Sequence, residues 1–488
     1  GEQFPKDVDL GRQRVGRLLI AFLSEAMGFV GRDEVHAPFR APIIIPARDD
    51  LAGPTVADEG SHGVEKAPHC IHGLPVGGHD GLGQGVVRAV VERGAVEQEH
   101  GAMVPGPATG RFAGYRGGMA ATDDFAQRLS AAAAGAREAG LDALFVTPGP
   151  DLRYLSGYDA VPLERLTCLV IRPDAEPVLV APRLERAAAE ASPLGTLGVA
   201  IATWDETDDP YRCVADLVPG AARVGVDDHM WAAKVLGLRE SMPQTEQCLA
   251  GGVLHALRMR KSSDELRALQ GAADAIDRVH ARVAELLRPG RTEREVGRDI
   301  AELIIAEGHV SADFVIVASG PNGASPHHEV SDRVLCVGDP VVVDIGGTMP
   351  DGYCSDETRT YALGDPGEQY RAFYADLLTA QTSATDGVAP GVPCEDIDGI
   401  ARRVLSSAGL GEFFIHRTGH GIGLETHEDP YIVEGNALPL EPGMVFSVEP
   451  GFYISGRFGA RIEDIVACGE SGPIVLNQRP RELAMVDA

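Results

Sequence analysis

Acidic residues stand at four places in the second half of the chain where buried strands should be apolar. They lie in the segments VVVDIGG, CSDETRT, MVFSVEPG and RIEDIV, and they are Asp344, Asp356, Glu449 and Glu463. An ionised carboxylate in a buried strand is costly unless it is paired with a cation or bound to a metal. Without such charge the acids would repel one another and their pKa values would rise. Two divalent cations supply about +4, which balances four carboxylates.

One histidine, His420, accompanies these acids between the glycines of TGHGIG. Oxygen ligands with a single imidazole suit Mn²⁺, Co²⁺ or Fe²⁺ better than they suit a thiolate-rich zinc site. Two ions about 3.5–4 Å apart can hold a bridging hydroxide and clamp an attacked carbonyl group. The joint pattern therefore indicates a dinuclear hydrolytic centre, although each residue taken singly has an ordinary structural explanation.

The composition excludes several other classes of protein. The chain has 488 residues, of which 44% are hydrophobic and 24% charged, as in a soluble globular protein of two or three domains. Its formal net charge of −29 disfavours binding to nucleic acid or to an anionic membrane surface. No stretch reaches the roughly 18 apolar residues of a membrane helix. The 8 cysteines are scattered without a CxxC motif, which favours a reducing, cytoplasmic setting.

Residues 1–118 differ from the rest of the chain. They are rich in Gly, Pro, Arg and His and show no sustained helical or strand period. The histidines of this segment match no standard zinc-finger spacing. We therefore expect an upstream extension with little stable fold, whose removal leaves activity and stability nearly unchanged; a small extra domain is the alternative.

Residues 119–250 have the pattern of a compact mixed α/β domain. An Ala-rich helix is predicted over 124–140, followed by a short buried strand, LDALFVT. The segment TCLVIRPDAEPVLVAP contains two apolar runs around a polar turn, which predicts a hairpin. Further strands are predicted at GVAIAT and ARVGVD.

Residues 257–482 form a second predicted domain, in which two helix pairs alternate with strands. Capping boxes at Ser262 with Glu265 and at Thr292 with Glu295 begin the first two helices. Two more helices are predicted over 367–386 and 395–408, and strand-rich segments fill the remainder. This order favours an α+β layer with an antiparallel sheet over a doubly wound sheet.

Five segments together resemble the signature set of the creatinase/prolidase, or pita-bread, metallopeptidases. They are DIGG, SDETRT, HRTGHGIGLETHEDPY, VFSVEPGFY and GRFGARIED. The similarity covers about 119–482 and is nearest to the Xaa-Pro branch, which contains aminopeptidase P and proline dipeptidase. It implies a C-terminal pita-bread domain preceded by a smaller, mixed α/β creatinase-type domain.

The resemblance implies a role for each of the five candidate ligands. Asp344 would chelate one metal ion, and His420 and Glu449 would bind the other. Asp356 and Glu463 would bridge both ions. All five ligand types are present in the sequence.

The resemblance also implies residues that act on the substrate. His327 and His427 would bind the peptide backbone and move protons, and Glu449 would accept a proton from the attacking water. His328 is adjacent, and we choose His327 because it directly follows Pro326. Arg461 would either support the acidic shell or bind substrate. Serine and cysteine nucleophiles are disfavoured, because the chain has no GxSxG elbow and Cys354 fits a packed strand position.

These inferences predict a metal-dependent exopeptidase that hydrolyses the bond before a penultimate proline. Two divalent ions are expected, with Mn²⁺ first and Co²⁺, Fe²⁺ or Zn²⁺ as alternatives. The expected substrates are small peptides with proline in the second position, and the expected assembly is a homodimer. Another pita-bread hydrolase, creatinase-like or ectoine-type, is the alternative, and a metal-free peptide-binding module is disfavoured by the intact ligand set. The motifs leave dipeptidase and aminopeptidase P as open alternatives.

Overall fold

The computed structural model describes residues 122–487, and the structural statements below concern this range. The predicted extension over 1–118, with its histidines, lies outside the described residues. Within the described range no helix is both long enough and apolar enough to span a bilayer. The cysteines of this range are all free thiols.

The first domain is a six-stranded mixed sheet with helices on both faces. Its helices are α1 (Thr122–Glu138), α2 (Pro150–Ser156), α3 (Arg186–Ala191), α4 (Pro193–Thr196), α5 (Pro210–Ala215), α6 (Ala232–Ser241) and α7 (Gly251–Met259). Its strands are β1 (Ala143–Val146), β2 (Cys168–Arg172), β3 (Ala175–Pro182), β4 (Ala200–Trp204), β5 (Arg223–Val226) and β6 (Glu246–Leu249), in the order β4-β3-β2-β1-β5-β6. The predicted hairpin is confirmed as the antiparallel pair β2–β3. Alternate residues of β1 enter two separate hydrophobic clusters, so both faces of the sheet are covered.

The second domain contains the two predicted helix pairs and a set of largely antiparallel strands. Its helices are α8 (Ser263–Leu286), α9 (Glu293–Ala306), α10 (Glu368–Asp386) and α11 (Cys394–Ser407). Its strands are β7 (Ser311–Ser319), β8 (Pro340–Thr348), β9 (Cys354–Leu363), β10 (Gly419–Gly421), β11 (Glu428–Ile432), β12 (Val445–Val448), β13 (Gly451–Ile454), β14 (Phe458–Arg461), β15 (Asp464–Gly469), β16 (Gly472–Val475) and β17 (Ala484–Val486). They form sheets of order β11-β10-β12-β15-β16 and β17-β9-β8-β7 and the hairpin β13–β14. The expected α+β architecture is confirmed.

Both predicted capping boxes begin their helices as expected. The Ser262 hydroxyl accepts from the Glu265 backbone N–H, and the Glu265 side chain accepts from the Ser262 N–H. Thr292 and Glu295 make the same pair of bonds at the start of α9. These bonds satisfy backbone donors that the first helical turn leaves unpaired. The two helices then pack their apolar faces on β8 in one shared core.

The register of β8 against β9 places two of the acids on one face of the sheet. Asp344 lies opposite Thr358, and Gly346 lies opposite Asp356. Because side chains alternate along a strand, Asp356 and Thr358 point to the same side as Asp344. Glu357, between them, points to the other side.

The two glutamates differ from the expectation, because they lie between strands and not within them. The run VFSVEPGFYI breaks after β12 at Glu449, where Pro450 cannot donate a ladder hydrogen bond. The run GARIEDIVAC breaks between β14 and β15. Glu463 lies in this break, and its N–H donates to the Thr358 carbonyl at 3.2 Å. That bond connects the segment to β9, so both breaks direct a carboxylate towards Asp356.

A buried histidine on α8 makes the stability of this domain depend on pH. The His280 ring lies 3.0 Å from the Tyr361 hydroxyl and 3.0 Å from the Glu357 carbonyl. Burial, aided by the charge of Arg359, lowers the pKa of His280 from 6.5 to about 3. Below pH 6.5 the His280 ring is therefore protonated in the unfolded chain, whereas in the folded chain it stays neutral down to about pH 3.

We expect His280→Gln to flatten the loss of stability as the pH falls from about 7 to about 5. Below the pKa that His280 has in the unfolded chain, the free energy of unfolding of the wild-type protein should fall more steeply than that of the variant. The difference should reach up to about 1.4 kcal/mol per pH unit. Urea unfolding followed by circular dichroism at several pH values measures this difference. His229→Gln is the control of opposite sign, because the hydrogen bond that the His229 ring donates to the Glu425 carboxylate raises the pKa of His229. Parallel curves for wild type and His280→Gln would contradict the prediction.

Candidate metal centre

Four of the five predicted ligands converge on one buried point. Ligand atoms of Asp356, His420 and Glu463 all lie within 4.8 Å of one another, and all three residues are buried. His420 Nε2 lies 3.6 Å from Asp356 Oδ2 and 3.2 Å from Glu449 Oε1. Residues from β9, β10 and the two strand breaks are therefore assembled into one cluster.

Asp344, the fifth predicted ligand, joins the cluster through Arg461. The Arg461 guanidinium donates to Asp344 Oδ2, while Asp344 Oδ1 is buried without a hydrogen-bond partner among the described residues. Glu463 Oε1 is also buried without a hydrogen-bond partner among the described residues, while its Oε2 accepts from the Thr358 hydroxyl at 2.7 Å. Buried carboxylate oxygens without a donor are costly, and a cation between them removes that cost.

The backbone around His420 fixes which ring nitrogen faces the acids. A Cβ at Gly419 would overlap the Ser447 carbonyl, and one at Gly421 would overlap the Asp429 carbonyl, so the neighbouring strands require glycines. His420 Nδ1 lies 3.1 Å from the Gly421 carbonyl, which can only accept a hydrogen bond. In the neutral ring the lone pair is therefore on Nε2, pointing at two carboxylates. Three acceptors that face one another are a fitting donor set for a metal ion.

The electrostatics of the cluster indicate missing positive charge. Burial raises the pKa values of Asp356 and Glu463 well above their usual range, and the neighbouring carboxylates raise them further. Burial also disfavours ionised Glu449. Without metal, a His420 ring that carries a proton on Nε2 donates to this carboxylate, and its hydrogen bond and charge, with the charges of His416 and Arg461, outweigh burial and lower the pKa of Glu449 to about 2. Protein groups alone thus compensate the negative charge of Glu449, but they do not compensate the charges of ionised Asp356 and Glu463. The residues present fit divalent cations.

The two predicted substrate histidines lie beside this cluster. The rings of His427 and His420 are 4.0 Å apart in an edge-to-face arrangement. Partial burial lowers the pKa of His427 to about 4, with smaller contributions from the charges of His420, Arg417 and His327. His327 is exposed, whereas the ring of His328 lies 2.8 Å from the buried Glu293 carboxylate. His328 is thus engaged in a structural pair, and His327 is the member of the two whose charge reaches His427.

The sequence reasoning missed three side chains that position Arg461 and its neighbours. The Arg461 guanidinium donates to the Tyr453 hydroxyl at 2.8 Å and to the Thr358 hydroxyl at 3.0 Å. The same Tyr453 hydroxyl lies 2.9 Å from His416 Nε2. Strand alternation after Asp356 could have identified Thr358, since residues two apart share a face. No comparable pattern marks Tyr453 or His416.

Cys354 occupies the packed strand position expected for it. Burial raises the pKa of its thiol to about 11, so it stays protonated at neutral pH. A protonated, buried thiol is a poor nucleophile.

Comparison with known proteins agrees with this architecture. Residues 267–470 match the model of metallopeptidase family M24, a range that includes every predicted site residue. Residues 128–260 match the model of the creatinase/prolidase N-terminal domain.

This chain matches named relatives and solved structures over nearly their whole length. The "Probable dipeptidase PepE" of Mycobacterium tuberculosis is 52% identical over 363 residues, which cover 74% of this chain and 96% of the relative. An "Xaa-Pro dipeptidase" of Lactobacillus delbrueckii subsp. lactis is 36% identical over 352 residues, covering 68% of this chain and 91% of the relative. The crystal structure of dipeptidase PepE from Mycobacterium ulcerans has a TM-score of 0.74 at 53% identity, covering 76% of this chain and 100% of that one. A prolidase from Thermococcus sibiricus has a TM-score of 0.69 at 36% identity, covering 74% and 99%.

One assignment follows from the sequence identity to these relatives, from the share of their length that is matched, and from the cluster of acids around His420. The two-domain fold is that of the prolidases, and the family implies divalent metal ions. The chain belongs to metallopeptidase family M24 and is a peptidase of the creatinase/prolidase type.

Proposed function

We propose that this chain is a dinuclear-metal exopeptidase that hydrolyses the Xaa-Pro bond of dipeptides or short peptides. The observation that carries the proposal is the convergence of Asp356, His420 and Glu463 within 4.8 Å, with Glu449 at 3.2 Å from His420. Relatives named Xaa-Pro dipeptidase and neighbours named prolidase support the substrate class.

The negative charge of the cluster supports bound divalent cations, of which we propose two. Asp344, Asp356, Glu449 and Glu463 bring four carboxylates together, and Arg461 is the permanent cation that contacts them. Asp344 would hold one ion, His420 and Glu449 would hold the other, and Asp356 and Glu463 would contribute to both. Oxygen-rich ligation favours Mn²⁺, with Co²⁺, Fe²⁺ or Zn²⁺ as alternatives. When bound, such ions lower the pKa of a shared water and polarise the scissile carbonyl.

The chain's own residues supply binding and proton transfer. Glu449 is ionised at neutral pH, so its carboxylate can accept the proton that the attacking water releases. His427 is neutral at the same pH, so a ring N–H can donate to an oxygen that gains negative charge in the transition state. His327 is exposed, and its charge reaches His427, so we assign it to the substrate as well. Arg461 keeps Asp344 and Tyr453 in place, because its observed contacts are with protein groups.

The cytoplasmic location and the homodimer remain predictions. A creatinase-like or ectoine-type hydrolase is the second candidate, since such enzymes share the fold and differ in pocket residues. A metal-free peptide-binding module is disfavoured, because the buried acceptors around His420 would then keep no compensating charge.

Hydrolysis of defined substrates tests the proposal directly. The purified protein is treated with chelator, dialysed, and assayed with Mn²⁺, Co²⁺ or Zn²⁺ on alanyl-proline, a longer Xaa-Pro peptide and creatine. We expect proline-containing substrates to be cleaved after metal is restored, and creatine to be left intact. Cleavage of creatine would favour the second candidate, and no cleavage of any Xaa-Pro substrate would contradict the proposal.

Replacing a ligand should remove metal and activity together. We expect Asp356→Asn and Glu463→Gln to abolish turnover and to lower the metal content measured by mass spectrometry, because each removes a charged oxygen ligand. Glu357→Gln is the matched control one residue from Asp356. Glu357 is buried on the opposite face of β9, and burial raises its pKa well above its usual range, so a neutral amide resembles its native form. Normal activity in Asp356→Asn or Glu463→Gln would refute the assigned site.

Replacing the substrate histidines should separate metal binding from turnover. We expect His427→Ala and His327→Ala to keep full metal content while turnover falls by roughly 10²–10⁴, the usual range for a positioned proton-transfer group. His328→Ala is the comparison, and its cost should fall on stability, since it removes one partner of buried Glu293 and leaves the bonds from Ser319 and Ser331. A larger loss of turnover in His328→Ala than in His327→Ala would show that the choice between them is wrong.

A further inference from the structure

A buried aspartate on α11 holds the segment that leads into the strand of His420. Asp398 is fully buried on this helix, whose apolar residues pack in the core of the second domain. Its Oδ1 accepts from the Thr418 N–H at 3.0 Å and from the Thr418 hydroxyl at 2.8 Å. Hydrogen bonds to an ionised acceptor are stronger than neutral ones. Asp398 therefore fixes both the backbone and the side chain of Thr418, the residue directly before β10.

Thr418 stands between the two ligands that would hold the same ion. His420 follows it by two residues on β10, and the Thr418 carbonyl accepts from the Glu449 N–H at 2.8 Å. The Thr418 N–H also donates to the Ile432 carbonyl at 3.0 Å, at the end of β11. A displacement of Thr418 would therefore move the backbone of both ligands.

Arg402 completes the support from α11. It lies one helical turn after Asp398 and donates to Asp398 Oδ2 at 2.5 Å and to the His416 carbonyl at 2.6 Å. Its guanidinium carbon lies 4.4 Å from the centre of the Phe414 ring. The charge of Asp398 is thus compensated away from the metal centre, and the helix fixes the whole approach to Thr418.

The other acids of the metal centre have a different support. Asp344 and Asp356 lie on the paired strands β8 and β9, and Glu463 bonds to Thr358 of β9 through its N–H and its carboxylate. Within residues 122–487 no hydrogen bond joins Asp398 to any of these acids. The support from α11 therefore reaches one side of the centre only.

We propose that Asp398 is a positioning residue for the ion that His420 and Glu449 would hold, and that the ion held by Asp344 does not depend on it. This inference rests on the proposed dinuclear site. Ligands that are fixed before an ion arrives need no further ordering when it binds. Removing an outer partner of metal ligands typically lowers metal affinity by about 10- to 100-fold.

Metal binding by the chelator-treated protein tests the proposal, with Mn²⁺ and Co²⁺ as probes. We expect wild type to bind two ions, and Asp398→Asn to bind one of them roughly 10- to 100-fold more weakly in calorimetry and in Co²⁺ absorption titrations. Asparagine matches aspartate in size, but its amide cannot accept from Thr418 on one side and from Arg402 on the other. Raising the Mn²⁺ concentration should restore turnover of alanyl-proline, because the ligands are intact. Asp299→Asn is the control, since it breaks the pair with Arg291 on α9 and should weaken neither ion.

Two ligand variants show which ion depends on Asp398. Asp344→Asn removes a ligand of one ion, and His420→Ala removes a ligand of the other. Adding Asp398→Asn to Asp344→Asn should weaken the remaining ion roughly 10- to 100-fold, whereas adding it to His420→Ala should leave the remaining ion unchanged. Wild-type affinity for both ions in Asp398→Asn, or equal weakening in the two backgrounds, would overturn the role of Asp398.

Thr418 offers a second route if Asp398→Asn does not fold. Thr418→Val removes the hydroxyl that donates to Asp398 and should weaken the same ion, whereas Thr418→Ser keeps a hydroxyl and should bind as wild type does. In that case, wild-type affinity in Thr418→Val would overturn the proposal. Binding of a single ion by the wild-type protein would overturn the dinuclear site instead, and the effect of these variants on that ion would still decide the role of Asp398.

Discussion

The mutual repulsion of buried carboxylates is the constraint on which the rest of the catalytic domain depends. Asp344, Asp356 and Glu463 lose solvation and face one another, so their ionised forms require compensating cations. Arg461 supplies one charge, and the hydroxyl of Thr358 supplies one hydrogen bond. The remaining demand is what the metal ions of this family meet. Folding and chemistry are therefore linked at this point, because the cost of assembling the acids is recovered when metal binds.

Strand β9 keeps this costly cluster separate from an ordinary structural ion pair. One face carries Asp356 and Thr358 into the metal centre. The opposite face carries Glu357 and Arg359. The Arg359 guanidinium pairs with Asp464 at 2.6 Å and lies 3.1 Å from the Glu357 carboxyl group. A period of two thus lets a single buried strand serve catalysis on one side and domain packing on the other.

The segment that carries His427 and Tyr431 is fixed by charges from both domains. Arg258, at the end of the first domain, pairs with Asp151 at 2.8 Å and with Glu425 at 2.6 Å, and also contacts Glu428. A cavity of about 120 Å³ is lined by Arg258, Glu425 and Glu428 together with His427. The first domain therefore contributes to the site by holding the segment that bears the substrate histidine, although the predicted ligands come from the second domain.

The sequence by itself determined α1, the four helices of the second domain, two capping boxes, the β2–β3 hairpin and the identity of the acids, because each depends on neighbours a few residues away. Local periodicity and the cost of a buried charge are readable in the chain. Tertiary structure decided what lies beside what: that Glu449 and Glu463 sit at strand breaks, that His328 belongs to Glu293, and that Tyr453 and Thr358 share Arg461. Contacts between residues distant in sequence are set by sheet register and packing, which a single sequence does not encode locally.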